Sequence, residues 1–140
     1  MHTFNFCKNS LIFIACLISP ACMAFHCPSY QDFYQDKEGI WHLTQLPPAP
    51  DGTYWGPVHQ GPWGDKQHHI NSIEVSLTRG TYLMRVQCSY GVRGSIFMGI
   101  DLHTEQQQIP IPLPGAPFNG DIPNDCKVSP EACEFTVTIK

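Results

Sequence analysis

Four stretches of the chain alternate apolar and polar residues with a period of two. This alternation is typical of β-strands that bury one face. No apolar stripe with helical spacing of useful length accompanies them. We therefore predict four antiparallel strands, whose apolar sets are Ile73, Val75 and Leu77; Tyr82, Met84, Val86, Cys88 and Tyr90; Ile96, Met98, Ile100 and Leu102; and Phe135, Val137 and Ile139.

Turn-forming residues lie between these stretches. Arg79-Gly80 separates the first two, and residues 91–94, which begin and end with glycine, separate the second from the third. Glycine readily adopts the backbone conformations that tight hairpins need, so the first three strands are predicted to form a meander. Turn residues 36–39 also predict an N-terminal hairpin, with its strands in residues 32–35 and 40–45.

Two segments, residues 46–65 and 109–124, are rich in proline and glycine. Proline fixes φ and lacks the N–H donor that a sheet ladder needs. We expect loops or extended edge segments there, with a polyproline-like course over residues 109–114. The predicted fold class is all-β: a small antiparallel sandwich or open barrel in one domain, residues 25–140.

Residues 1–24 have the three-part composition of a secretory signal peptide. Lys8 precedes an apolar run that ends before Pro20, and small residues stand last and third-last before a predicted cut at Phe25. A membrane-spanning helix needs roughly 20 apolar residues in succession, more than this run supplies. We predict a secreted or periplasmic protein with no stable membrane span after cleavage. An uncleaved anchor and a lipoprotein cut before Cys22 are the alternatives.

The cysteines support an oxidising compartment. Removal of residues 1–24 leaves an even number of them, Cys27, Cys88, Cys126 and Cys133. In a small exported chain this predicts two disulfides that stabilise the fold. Because Cys126 and Cys133 flank a short segment, we favour Cys126–Cys133 with Cys27–Cys88. The alternative is Cys88–Cys133 with Cys27–Cys126.

The net charge of the chain bears on whether it binds nucleic acid. The chain beyond residue 24 carries seven basic residues against twelve acidic ones, a net charge of −5, and no basic cluster. Nucleic-acid phosphates demand cationic contacts. We therefore expect no nucleic-acid partner.

The most distinctive segment is residues 54–64, in which Trp-Gly-Pro is nearly mirrored by Gly-Pro-Trp-Gly. Indole rings on a stiff loop can form a flat platform for a sugar ring or for the apolar groups of a partner. We predict a ligand-binding site at Trp55, His59, Trp63 and His68, with a carbohydrate or an envelope or host protein as partner. The alternative is that these tryptophans are buried at one end of a small hydrophobic core.

Catalytic and metal motifs are weak. His59, His68 and His69 lie close in sequence with Asp65 nearby, and such residues can bind zinc or copper. Exposed loop histidines are commoner, so we predict no metal and no cofactor. The sequence lacks the usual hydrolase and phosphate-binding motifs, so we expect a protein that acts by binding. A purely structural envelope protein is a further alternative. The competing class is a small hydrolase with a carboxylate pair drawn from Asp32, Asp36, Glu38, Asp101 and Glu105.

Short motifs in the chain resemble those of a family of small secreted bacterial proteins of unknown function. They are Cys27-Pro28, Trp41, Trp55-Gly56 and Cys88-Ser89-Tyr90. The resemblance covers most of residues 27–133. It implies export and a small β fold, and it implies no catalytic residue.

We expect the exported protein to begin at Phe25 and to contain no free thiol. The physical reasons are the small residues before the predicted cut and the even number of remaining cysteines. Intact mass spectrometry after alkylation measures both properties. A lipidated Cys22, or two or more alkylated cysteines in the native protein, would contradict this expectation.

Overall fold

A computed structural model gives the fold and describes residues 23–61, 69–79, 84–93, 95–105, 107–120 and 124–139. Within these ranges the regular elements are strands and one 3-10 turn, Tyr30–Asp32. The strands are β1 (Phe33–Gln35), β2 (Trp41–Leu43), β3 (Tyr54–Trp55), β4 (His59–Gln60), β5 (Ser72–Arg79), β6 (Met84–Val92), β7 (Ser95–His103), β8 (Gln108–Pro112), β9 (Asn124–Cys126) and β10 (Phe135–Ile139).

The largest sheet is built around the predicted meander. Its strand order is β3-β7-β6-β5-β9, and β4 pairs with the same edge of β7 as β3 does. All of these pairings are antiparallel. The three meander strands are thus confirmed, although the predicted strand residue Tyr82 and the turn residue Gly80 lie outside the described residues.

The core lies against one face of this sheet, where apolar residues of the three meander strands form rows. Val75, Cys88 and Ile100 make one row across β5, β6 and β7, and all three are buried. Side chains alternate between the faces of a strand, so the intervening polar residues point to the opposite face. The predicted all-β antiparallel class is confirmed, and the strands do not close into a barrel within the described ranges.

The segment before β1 covers the core face and is fixed there in two ways. Cys27 forms a disulfide with Cys88, and the Tyr90 hydroxyl donates a hydrogen bond of 2.5 Å to the carbonyl oxygen of Pro28. Burial raises the pKa of the Tyr90 phenol well above its ordinary value, so this hydroxyl remains a donor throughout the physiological pH range. The Phe33 ring packs 4.6 Å from the Tyr90 ring, measured between centroids.

Both predicted disulfides are present. Cys27–Cys88 joins the N-terminal segment to β6, and Cys126–Cys133 closes a short loop between β9 and β10. The favoured pairing is therefore confirmed, and the alternative pairing is wrong. Disulfides of this kind are typical of proteins that work in oxidising compartments.

The predicted N-terminal hairpin is confirmed as β1 and β2, which pair from Phe33 opposite Leu43 to Gln35 opposite Trp41. Gly39 has a φ of 87° in the turn between them, a conformation that glycine adopts at little cost. The Gln60 side chain joins this hairpin to β4, because it accepts a hydrogen bond from the Trp41 N–H and donates one to the Trp41 carbonyl oxygen.

The extended edge segment expected near residue 109 is confirmed, but the polyproline-like course predicted for residues 109–114 is wrong. Residues 108–112 form β8, which pairs with β10 in a separate two-stranded sheet. Leu113 N donates to the carbonyl oxygen of Glu134 at 3.0 Å, and backbone donors of a strand alternate between its two edges. The odd-numbered residues therefore bond to β10, while Pro110 and Pro112 occupy positions whose missing N–H would point away from it. Prolines so placed are compatible with an edge strand.

One residue of the predicted apolar set of β7 is not buried. Tyr90 pairs with Met98 but Gly91 pairs with Ile96, so Phe97 is an extra residue in a β-bulge. A bulge shifts the alternation of side chains by one position. As a result Phe97 is buried in the core and Ile96 is exposed.

The end of β10 also departs from the predicted alternation. Phe135 is buried, but Ile139 is exposed, because this end of the strand lies beside a surface cavity of about 460 Å³ instead of the core. Residues that line the cavity include Met23, Phe25, Ala49, Val137 and Ile139.

Removing the long-range disulfide should destabilise the protein more than removing the short one. Cys27 and Cys88 are 61 residues apart in sequence, and Cys126 and Cys133 are 7 apart. Loop-closure entropy gives contributions of about 4.3 and about 2.5 kcal/mol respectively. Denaturant unfolding of the double variants Cys27→Ala/Cys88→Ala and Cys126→Ala/Cys133→Ala measures the difference. Equal losses, or a larger loss for the short loop, would contradict this order.

Candidate functional site: the outer face of the large sheet

Polar and aromatic side chains occupy the face of the large sheet opposite the core. Tyr54 and Arg85 pair with His103 from its two sides, and His59 pairs with Gly99, two positions before Asp101. Directly paired residues, and residues two apart on one strand, point to the same face of an antiparallel sheet. We call this set the outer-face cluster: Tyr54, His59, Arg85, Asp101 and His103.

Asp101 is the most buried member of the cluster, with 5% of its surface exposed. Arg85 Nη1 donates a hydrogen bond of 3.3 Å to Asp101 Oδ2, and His59 Nε2 lies 3.6 Å from the same oxygen. A carboxylate removed from water needs charged or hydrogen-bonding partners, and Arg85 supplies one. The ion pair therefore holds both side chains on the outer face, close to the C-terminal end of β7.

Tyr54 and His103 form an aromatic surface next to this ion pair. Their rings are stacked with centroids 4.9 Å apart and planes 18° from parallel. Tyr54 is 63% exposed, so much of its surface is open to solvent. The outer face thus combines an exposed aromatic ring with charged hydrogen-bonding groups.

The glycines of the Trp/Gly/Pro segment allow it to lie against β7. Gly61 N donates to the Phe97 carbonyl oxygen, and a methyl group on Gly61 would lie only 2.0 Å from that oxygen. Gly56 N donates to the Asp101 carbonyl oxygen at 2.8 Å, and a methyl group there would meet His103 Nε2 at 2.8 Å. Close backbone approach therefore explains both glycines.

The structure describes two of the four residues of the predicted ligand-binding site. Trp55 is half-buried against the core, and its indole Nε1 donates to the Pro47 carbonyl oxygen at 3.0 Å. The His59 side chain is 57% exposed on the outer face. Trp63 and His68 lie outside the described residues. A ligand contact by any of these four residues stays a prediction.

Sequence reasoning did not select Tyr54, Arg85 or His103 as site residues. Two of them could have been found from the sequence. Arg85 is a polar residue of a predicted strand and should face away from the core, and Tyr54 is adjacent to Trp55, so in an extended segment the two rings should point to opposite faces. What the sequence did not show is that β3 and β6 flank the same end of β7. That juxtaposition depends on long-range pairing.

Of the five acids considered for a hydrolase, Asp101 alone belongs to the outer-face cluster. Asp32 accepts hydrogen bonds from the Ser29 N–H and the Gln45 side chain. Asp36 accepts bonds from two backbone N–H groups of its turn and lies 2.7 Å from His42 Nε2. The hydrogen bond with His42 is the main reason why the pKa of Asp36 is lowered from its ordinary value. These two carboxylates therefore stabilise local structure.

Two further classes of site were sought in the described part of the chain. No three His, Cys, Asp or Glu side chains there converge as metal ligands would. None of the described residues belongs to a helix with the length and apolar character that a membrane crossing requires.

Comparison of the chain with protein-family models, with curated proteins and with solved structures found no match. The outer-face cluster is therefore interpreted from its own geometry.

Replacing Gly61 by alanine should destabilise the protein more than the same change at Gly56. The added methyl at Gly61 meets the backbone of Phe97, whereas at Gly56 it meets the His103 ring, which can rotate away. Overpacking of this kind costs about 1–3 kcal/mol where the neighbour cannot move. Denaturant unfolding of Gly61→Ala and Gly56→Ala gives both values, and equal small losses would show that β4 is not held tightly against β7.

Proposed function

We propose that this protein is exported and binds carbohydrate through the outer-face cluster. The observation that carries the proposal is the exposed Tyr54 ring, stacked on His103 beside the Asp101–Arg85 ion pair. A sugar ring presents an apolar C–H face and a rim of hydroxyl groups. An aromatic ring can pack against the former, and fixed polar side chains can hydrogen-bond the latter.

Export is supported by the composition of residues 1–24 and by the two disulfides. Structural disulfides persist in secreted and periplasmic proteins and are rare in the reducing cytoplasm. A signal peptide cut before Phe25 would leave the disulfide-linked β domain intact, because β1 to β10 all lie beyond that position.

A carbohydrate fits the outer face better than a protein partner does. The centres of protein interfaces are depleted in charged residues and enriched in apolar contacts, whereas the centre of this cluster is an ion pair. The Arg85 guanidinium can donate hydrogen bonds to hydroxyl oxygens, and the Asp101 carboxylate can accept hydrogen bonds from hydroxyl groups. A ligand contact by Trp63 or His68, which lie outside the described residues, stays a prediction from the sequence alone.

Truncating Tyr54 should weaken carbohydrate binding by about 10-fold or more while changing the unfolding free energy by less than about 0.5 kcal/mol. The reason is that the ring is largely exposed and contributes little to the core. Binding to a panel of immobilised glycans, followed by calorimetry on the best ligand, measures the first quantity. Thermal unfolding measures the second.

Tyr34→Ala is the matched control. Tyr34 is 51% exposed and stacks on His42 with centroids 5.2 Å apart, but it lies on the β1–β2 hairpin. Loss of binding in both variants would indicate that exposed tyrosines bind glycans non-specifically. Binding of a protein partner with no glycan bound by the wild type would assign the outer face to protein recognition and overturn the proposal.

A further inference from the structure

The sheet formed by β8 and β10 has two unlike edges. On β8, Pro110 and Pro112 occupy the positions that point away from β10. Prolines placed in this way block the addition of another strand, because they have no N–H to donate. The corresponding outward positions of β10 are Phe135, Val137 and Ile139, each of which has a backbone N–H. The sheet can therefore be extended along β10 and is blocked along β8.

The outer edge of β10 already pairs with the chain at one residue. Phe25 and Phe135 exchange two backbone hydrogen bonds of 2.9 Å in an antiparallel bridge. The same register places Met23 opposite Val137, and both residues line the surface cavity beside β10. A signal-peptide cut before Phe25 would remove Met23. Cleavage would thus uncover the edge beyond Phe135 and open the wall of the cavity.

The side chains along this edge are apolar and become more exposed toward the end of the strand. Ile139 is 79% exposed, more than any other large apolar side chain among the described residues. Val137 and Ile139 are two positions apart, so their side chains share a face and their N–H and C=O groups share the outer edge. An exposed strand edge with apolar side chains is a template for pairing with another strand.

We infer that the exported protein forms a twofold dimer in which the β10 strands of two copies pair antiparallel. This inference goes beyond carbohydrate binding and rests only on the export proposed above, because export removes Met23. With Thr138 of the two copies opposite each other, Val137 of each copy pairs with Ile139 of the other. Both residues direct their N–H and C=O groups to this edge, so each pair exchanges backbone hydrogen bonds in both directions.

A second copy fits the edge because this segment is complementary to itself, as a twofold interface requires. Directly opposed residues of antiparallel strands point their side chains to the same face. Ile139 of the second copy therefore lies beside Val137 on the cavity side, in the place that Met23 occupies before cleavage. The contact is small, and interfaces well under about 1,200 Å² belong to weak, reversible complexes.

Analytical ultracentrifugation of the exported protein tests the inference, with intact mass spectrometry to verify that the chain begins at Phe25. The average mass should rise from that of a monomer toward twice that value as the concentration increases from about 10 μM to about 1 mM, the range of weak complexes. Over the same range the NMR signals of the Val137 and Ile139 amides should shift. Their hydrogen exchange should slow, because pairing protects them.

Ile139→Pro blocks this edge in the same way that the prolines block the edge of β8. It leaves the bonds to β8 intact, because the Ile139 N–H points to the other side. This variant should stay monomeric over the whole range. Ile139→Lys should do the same, since a charged side chain disfavours edge pairing, and it carries the test if thermal unfolding shows that Ile139→Pro does not fold.

Val128→Lys is the matched control. Val128 is 62% exposed and lies between β9 and β10, away from the paired edge. This variant introduces the same charge at an equally apolar surface position. It should dimerise as the wild type does.

The outcomes separate this inference from the proposed function. A monomer at every concentration, in protein that begins at Phe25, would overturn the inference and leave export and carbohydrate binding standing. A dimer that persists in folded Ile139→Lys would also overturn it. So would a monomer whose β10 amides are protected by an added peptide of alternating valine and threonine, because the edge would then serve a foreign strand.

Two further results bear on the proposed function. A mass that retains Met23 would overturn the proposed export, and this inference with it, because the edge would stay covered. A dimer that binds no glycan would support this inference and overturn carbohydrate binding alone.

Discussion

Burial of one face of the β5–β6–β7 meander determines which side chains lie on the outer face of the large sheet. Cys27, Pro28 and Phe33 cover that face through a disulfide, a hydrogen bond to Tyr90 and a ring contact. Because strand side chains alternate, covering one face decides which residues appear on the other. A slip of one residue in β7 would bury His103 and expose Leu102. The position of Asp101 beside Arg85 is thus a consequence of the same register that fills the core.

The parts of the fold that follow from local sequence were predictable. Three neighbouring strands joined by turn residues, and a short hairpin with a glycine in its turn, depend on alternation and turn chemistry over a few residues. The disulfide between Cys126 and Cys133 was favoured because it closes a short loop. Its presence left Cys27 and Cys88 as partners for each other.

The features that were missed depend on long-range packing. The bulge at Phe97 reverses the alternation at one end of β7, and no local signal marked it, because Ile96 and Phe97 are both apolar. The prolines of β8 argued against a strand, yet they occupy only the positions that do not bond to β10. The outer-face cluster depends on β3, β4 and β6 meeting along β7, so its members were visible in the sequence but their proximity was not. Trp55 and Gly56 drew attention to the segment that contains Tyr54, although Trp55 packs toward the core and Tyr54 faces outward.

The central claim is that ligand recognition takes place on the outer face of the large sheet. Two-dimensional NMR of isotopically labelled protein, titrated with an oligosaccharide that binds, tests this claim most directly. The account predicts chemical-shift changes at Tyr54, His59, Arg85, Asp101 and His103, with the hairpin residues Tyr34 and His42 unaffected. Changes confined to the hairpin, or to the cavity beside Ile139, would place the binding site elsewhere and contradict the account.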